Sequence, residues 1–162
     1  MINIKKFLMS INKWIIVTLG FLVMLLLLVI TTLFTSNGNA LNNPNVSYLD
    51  NLSILETFIE SVIAAPVLET LIFQMFIYWS ISKLISSKKF FLVIYLISSS
   101  LLFAISHYYS ISYVFYAICC GLVLSYSYFI FKEREENAFV FTVLIHSIFN
   151  FILFVIGVFI NN

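Results

Sequence analysis

Five long apolar runs alternate with short polar breaks along this chain. Residues 14–34, 62–82, 90–109, 111–131 and 138–160 hold one charged side chain among them, Glu69. About 20 apolar residues at roughly 1.5 Å each cross a hydrocarbon core of about 30 Å. The pattern therefore predicts an all-α, polytopic transmembrane bundle of five spans. The third and fourth runs are separated only by "HYYSIS", residues 107–112. The one long polar stretch, 35–53, is rich in Asn and carries the turn formers Gly38 and Pro44, so it reads as a loop. With no internal repeat, residues 1–162 read as a single membrane-embedded domain.

The second run begins with a complication. Glu56 and Glu60 lie four apart, opposite Ile54, Phe58 and Val62, a pattern that predicts a short amphipathic helix at the membrane interface. Pro66 then lacks an N–H and suits the first turn of a new helix, or a kink. On that reading Glu69 stands in an opening turn, where free amide N–H groups and the helix dipole favour a negative charge.

Composition agrees with the pattern. The chain is 62% hydrophobic and 9% charged. A soluble chain of this length buries only about 70% of its unfolded surface, too little to hide so much apolar area. A net charge of +1 with no basic stripe gives no footing for nucleic acid. The adjacent Cys119 and Cys120 form neither a disulfide framework nor a metal motif, and read as packing residues. Ala117, Gly121 and Ser125 recur every fourth residue and predict a close helix crossing.

Charge placement predicts orientation. Lys5, Lys6 and Lys13 precede the first run, Lys83, Lys88 and Lys89 follow the second, and Lys132 and Arg134 follow the fourth. All eight cations thus fall on one side, which the positive-inside rule makes cytoplasmic, with the N-terminus in and the C-terminus out. "GNA" at 38–40 has the form of a signal-cleavage site, but the run before it is longer than a signal core of roughly 7–15 residues. An uncleaved anchor is the expectation. The Asn-, Ile-, Lys- and Phe-rich composition points to a bacterial plasma membrane.

Candidate chemistry is sparse and therefore conspicuous. Glu69, His107, His146 and Asn150 are the strongly polar groups placed inside the second, third and fifth runs. His146 and Asn150 lie four apart and share a helix face. The two histidines stand on different helices and the carboxylate on a third. Ionisable groups in a membrane are expensive unless they turn inward and find partners. Inward-facing, they form either a structural hydrogen-bond network or a catalytic site. Depth stands against a meeting: His107 and His146 differ by about 15 Å along their spans at ~1.5 Å per residue.

"ETLIFQ" at 69–74, "FAISH" at 103–107 and "HSIFN" at 146–150 resemble, in order and spacing, the motifs EExxxR, FxxxH and HxxxN. These mark the CPBP (Abi-type) intramembrane endopeptidases, which comprise CAAX prenyl endopeptidases and bacteriocin-processing enzymes. The likeness covers about residues 54–155. It implies Glu69 as general base on a water that His107 helps to hold, and His146 with Asn150 as oxyanion stabilisers. Phe103, Thr70 and Gln74 take supporting positions. Thr70 and Gln74 stand where the family has glutamate and arginine, four apart, so a charged pair is replaced by a neutral one expected to hydrogen-bond instead. The family is also described as metalloproteases, which raises zinc, but no HExxH pair fixes a metal and metal-free hydrolysis is the expectation. The implied partners are the bilayer and a membrane-bound or lipidated peptide substrate. The rival is a non-enzymatic protein of the same fold that gives bacteriocin self-immunity or scaffolds a partner. A transporter stands third, without a broken helix pair to support it.

Overall fold

The computed structural model describes residues 4–34 and 52–160. Six helices account for nearly all of them: α1 (Ile4–Ser10), α2 (Lys13–Phe34), α3 (Ile54–Leu84), α4 (Lys88–Ser106), α5 (Ile111–Glu133) and α6 (Ala138–Ile160). No strand occurs among the described residues. Helices α2 to α6 are each long and apolar enough to cross a membrane. The fold is the expected all-α membrane bundle with five spans. The loop expected at 35–53 and the C-terminal residues 161–162 lie almost wholly outside the described residues.

Three features differ from the sequence reading or sharpen it. First, α1 was not anticipated. It is tied down at its own C-terminal end, where Arg134 donates from Nη1 to the carbonyls of Leu8 and Ile11 at 2.6 and 2.8 Å. Lys5 meets Glu133 at 2.7 Å. Second, no break separates an interfacial helix from the second span. Ser53 and Glu56 form a reciprocal capping box that starts α3 at Ile54, and the helix then runs unbroken through Pro66. Its 31 residues extend about 46 Å at 1.5 Å each, longer than the hydrocarbon core, so α3 crosses at a tilt or projects beyond it. Third, two stretches of α3 widen to π geometry, Ile59–Ala64 and Thr70–Phe76.

The first of these stretches explains how Pro66 is tolerated. In the π register each N–H reaches the carbonyl five residues back, as Ala65 does to Glu60. Pro66 has no N–H, so the Ser61 carbonyl loses its donor. Asn150 on α6 supplies one, donating from Nδ2 to the Ser61 oxygen at 2.8 Å. Pro66 is thereby buried within a continuous helix instead of opening a new one.

Helix α5 is the most enclosed of the five, and α2, α4 and α6 pack around it. The small-residue stripe behaves as expected. A Cβ at Gly121 would lie 2.8 Å from the Ser100 Cα, so α4 and α5 touch backbone to backbone there. Residues 107–110 close the α4–α5 hairpin, with the Ser110 side chain accepting from the Tyr113 N–H at the start of α5. The hairpin tip carries His107.

Candidate active site

Glu69 sits midway along α3, as the last residue of the short α-helical piece Ala65–Glu69 between the two π stretches. The sequence placed it in an opening turn, but a full helical half precedes it and its surroundings are not a helix N-terminus. Two side chains from other helices approach it. His107 Nε2 lies 3.6 Å from Glu69 Oε1, and His146 Nε2 lies 3.6 Å from Oε2. One carboxylate is bracketed by both histidines of the chain. Both imidazole nitrogens reach the same carboxylate, so the depth difference counted along the sequence does not keep the three groups apart.

At 3.6 Å neither contact is a hydrogen bond. The Glu69 Oε2 atom is buried with no hydrogen-bond partner among the described residues. A water oxygen about 2.8 Å from a carboxylate oxygen and an imidazole nitrogen fits beside a gap of that width.

Local structure fixes each ring. His107 ends α4, and its Nδ1 lies 2.8 Å from the Phe103 carbonyl and 3.1 Å from the Ser106 hydroxyl. A carbonyl only accepts, so Nδ1 carries the hydrogen, and a neutral His107 turns an Nε2 lone pair towards Glu69. Phe103 is buried and packs on both imidazoles, with ring centroids 4.4 Å from His107 and 5.9 Å from His146. Phe73 closes on its other side at 5.8 Å, edge-on. His146 is 4% exposed and its Nδ1 has no partner among the described residues.

Asn150 projects one turn beyond His146 and donates from Nδ2 to the Ser61 carbonyl. Thr70 and Gln74 are fully buried in the second π stretch. Their polar atoms have no hydrogen-bond partner among the described residues, so they do not bond each other. Sequence reasoning passed over Tyr113. Its ring stacks on His107 at 6.5 Å and 11°, and Tyr109 packs against it at 4.8 Å. Its position two residues into α5 after a tight hairpin is the signal that could have found it.

Among the described residues no group of three His, Cys, Asp or Glu is arranged to hold an ion. The arrangement is a carboxylate flanked by two imidazoles, with Phe103 packed on both rings. Residues 51–152 match the family model described as type II CAAX prenyl endopeptidase Rce1-like. No curated protein matches the chain, and no solved structure does.

Proposed function

The chain belongs to the Rce1-like family of type II CAAX prenyl endopeptidases, and on that premise we propose that it is an intramembrane endopeptidase in which Glu69 activates water. The observation that carries this reading is the carboxylate held between two imidazoles, 3.6 Å from each. A water between Glu69 and His107 gives one hydrogen to the carboxylate and the other to the His107 Nε2 lone pair. Its oxygen then points a free lone pair at a scissile carbonyl. As the water attacks, Glu69 takes its proton, and the carbonyl oxygen becomes an oxyanion. His146 Nε2–H is the donor nearest that charge. Asn150 keeps one amide hydrogen beyond the one given to Ser61, and it contributes only if that hydrogen turns towards the site. The proton on Glu69 then passes to the departing amine, which restores the base. Low dielectric inside the bundle strengthens each of these interactions.

No step needs a metal, and the proposed hydrolysis is metal-free. The substrate class is a membrane-associated peptide: a leader, pheromone or bacteriocin precursor, or a lipidated C-terminus. A bacterial plasma membrane is the proposed location, with the cationic end cytoplasmic. One observation favours the non-enzymatic reading of immunity or scaffolding, namely that the family's charged pair is replaced by the unpartnered Thr70 and Gln74.

The two readings separate in cells that express a candidate precursor. Glu69→Gln keeps size and polarity and removes the base, so the variant should insert and accumulate normally while precursor cleavage stops. Undiminished cleavage by Glu69→Gln would sink the protease reading. Immunity retained without cleavage would favour the rival.

A further inference from the structure

Beneath the carboxylate, polar side chains continue towards the cationic end on three helices. On α3 the steps are Thr70, Gln74 and Tyr78; on α4 they are Ser99 and Tyr95; on α6, Thr142 lies one turn before His146. These repeat every fourth residue, so each set shares one helix face. The second π stretch of α3 packs against α4, α5 and α6, which sets the three faces together. Thr70, Gln74, Tyr95, Ser99 and Thr142 are fully buried. Their polar side-chain atoms, and His146 Nδ1, lack hydrogen-bond partners among the described residues.

An unpartnered polar atom in a dry interior is costly, and native proteins satisfy such atoms with protein groups or ordered water. Here several lie on helix faces that the second π stretch of α3 brings side by side. Through Tyr78 the set adjoins two cavities. Tyr78 packs edge-on against Tyr95 at 5.2 Å and lies 5.5 Å from Tyr128. Tyr78 lines both of two cavities, of about 370 and 1110 Å³. Lys5, Lys88 and Lys89 border the smaller and Lys83 and Lys132 the larger, so both open at the cationic end.

We propose that these side chains line a file of bound water that runs from the cationic-end cavities, past Tyr78, to Glu69. Its ligand is water and its task is resupply. Each cleavage consumes one water molecule, whose oxygen enters the new carboxyl group and whose hydrogens end on that carboxyl and the new amine. Hydrocarbon cannot deliver the replacement, and these hydroxyl and amide groups can. The resupply role rests on the hydrolytic reading; the hydration does not.

Two measurements test the file on the full chain in lipid. X-ray radiolytic footprinting oxidises side chains beside bound water. Tyr95 should be oxidised at a rate approaching that of the exposed Tyr108, and the equally buried Phe131 should stay unmodified. Tyr95 as unreactive as Phe131 would overturn the proposal. Tyr95→Phe and Thr142→Val each remove the polar atom at nearly constant volume. With the file present, each should lower kcat about tenfold, leave KM unchanged and reduce labelling along the file. In a dry interior the same changes would remove an unsatisfied group, raise the melting temperature and leave kcat alone, which also overturns it. Wild-type protein that is labelled at Tyr95 but cleaves nothing would uphold the file and refute the protease reading.

Discussion

The smallest unit of the account is the contact between Asn150 and the Ser61 carbonyl. The likeness of "HSIFN" to HxxxN assigns Asn150 to the oxyanion, yet its Nδ2 is 2.8 Å from a backbone oxygen that Pro66 leaves without a donor. If that contact sets the course of α3, Asn150→Ala should destabilise the protein by about 1–3 kcal/mol, the cost of a buried acceptor left unmade. Pro66→Ala supplies a backbone N–H at position 66. It should recover most of the stability lost in Asn150→Ala, and a thermal-melt double-mutant cycle measures the coupling. Stability that recovers while activity stays lost would place Asn150 on the substrate as well. Glu69, His107 and His146 were legible as a group because charge and imidazole are so rare in these spans. Their convergence was not, since depth counted along ideal upright helices leaves out helix tilt and side-chain reach. Tyr113 was hidden for another reason: a tyrosine near a span end reads as part of an aromatic belt.

Among the elements, α3 shows what local sequence does and does not give. Ser53 and Glu56 form an S-x-x-E start signal that the sequence reading passed over, and they make the helix begin at Ile54. Pro66 reads as the first turn of a new helix or a kink because in an α-helical register it removes a hydrogen bond and its ring clashes with the carbonyl four residues back. The π stretch before it and a donor from α6 accommodate it, and neither is written near Pro66 in the chain. The α4–α5 hairpin is simpler. Its small-residue stripe predicts a close crossing, and Gly121 against Ser100 is that crossing. Gly121→Ala gains helix propensity of up to about 1 kcal/mol. It also drives a Cβ to 2.8 Å from backbone, where something must shift, and overpacking of this kind costs about 1–3 kcal/mol. The net change should be destabilising. Because His107 rides on the hairpin tip, cleavage should fall by more than the loss of folded protein explains. Melting temperature and rate per folded molecule check the two parts.

At the scale of the whole molecule, five spans and the grouping of all eight cations at one end were legible because the bilayer imposes length and charge rules on every segment. Orientation follows as a prediction. In a cysteine-free background, cysteines placed at Asn43 and at Ser87 should react with an impermeant thiol reagent from opposite sides, Ser87 from the cytoplasmic one. Reaction of both from one side would contradict it. The small helix α1 was illegible because a seven-residue helix is held by Arg134 from 123 and more residues away, and no local pattern encodes that tie. The central claim is that Glu69 activates water without a metal. The most direct measurement is the rate of peptide cleavage by purified protein in chelator-treated liposomes, wild type against Glu69→Gln. The account predicts an unchanged wild-type rate after chelation and a loss of at least about 10²-fold in the variant, the scale of a lost general base. Wild-type activity that vanishes with chelation, or a Glu69→Gln rate equal to wild type, would contradict it.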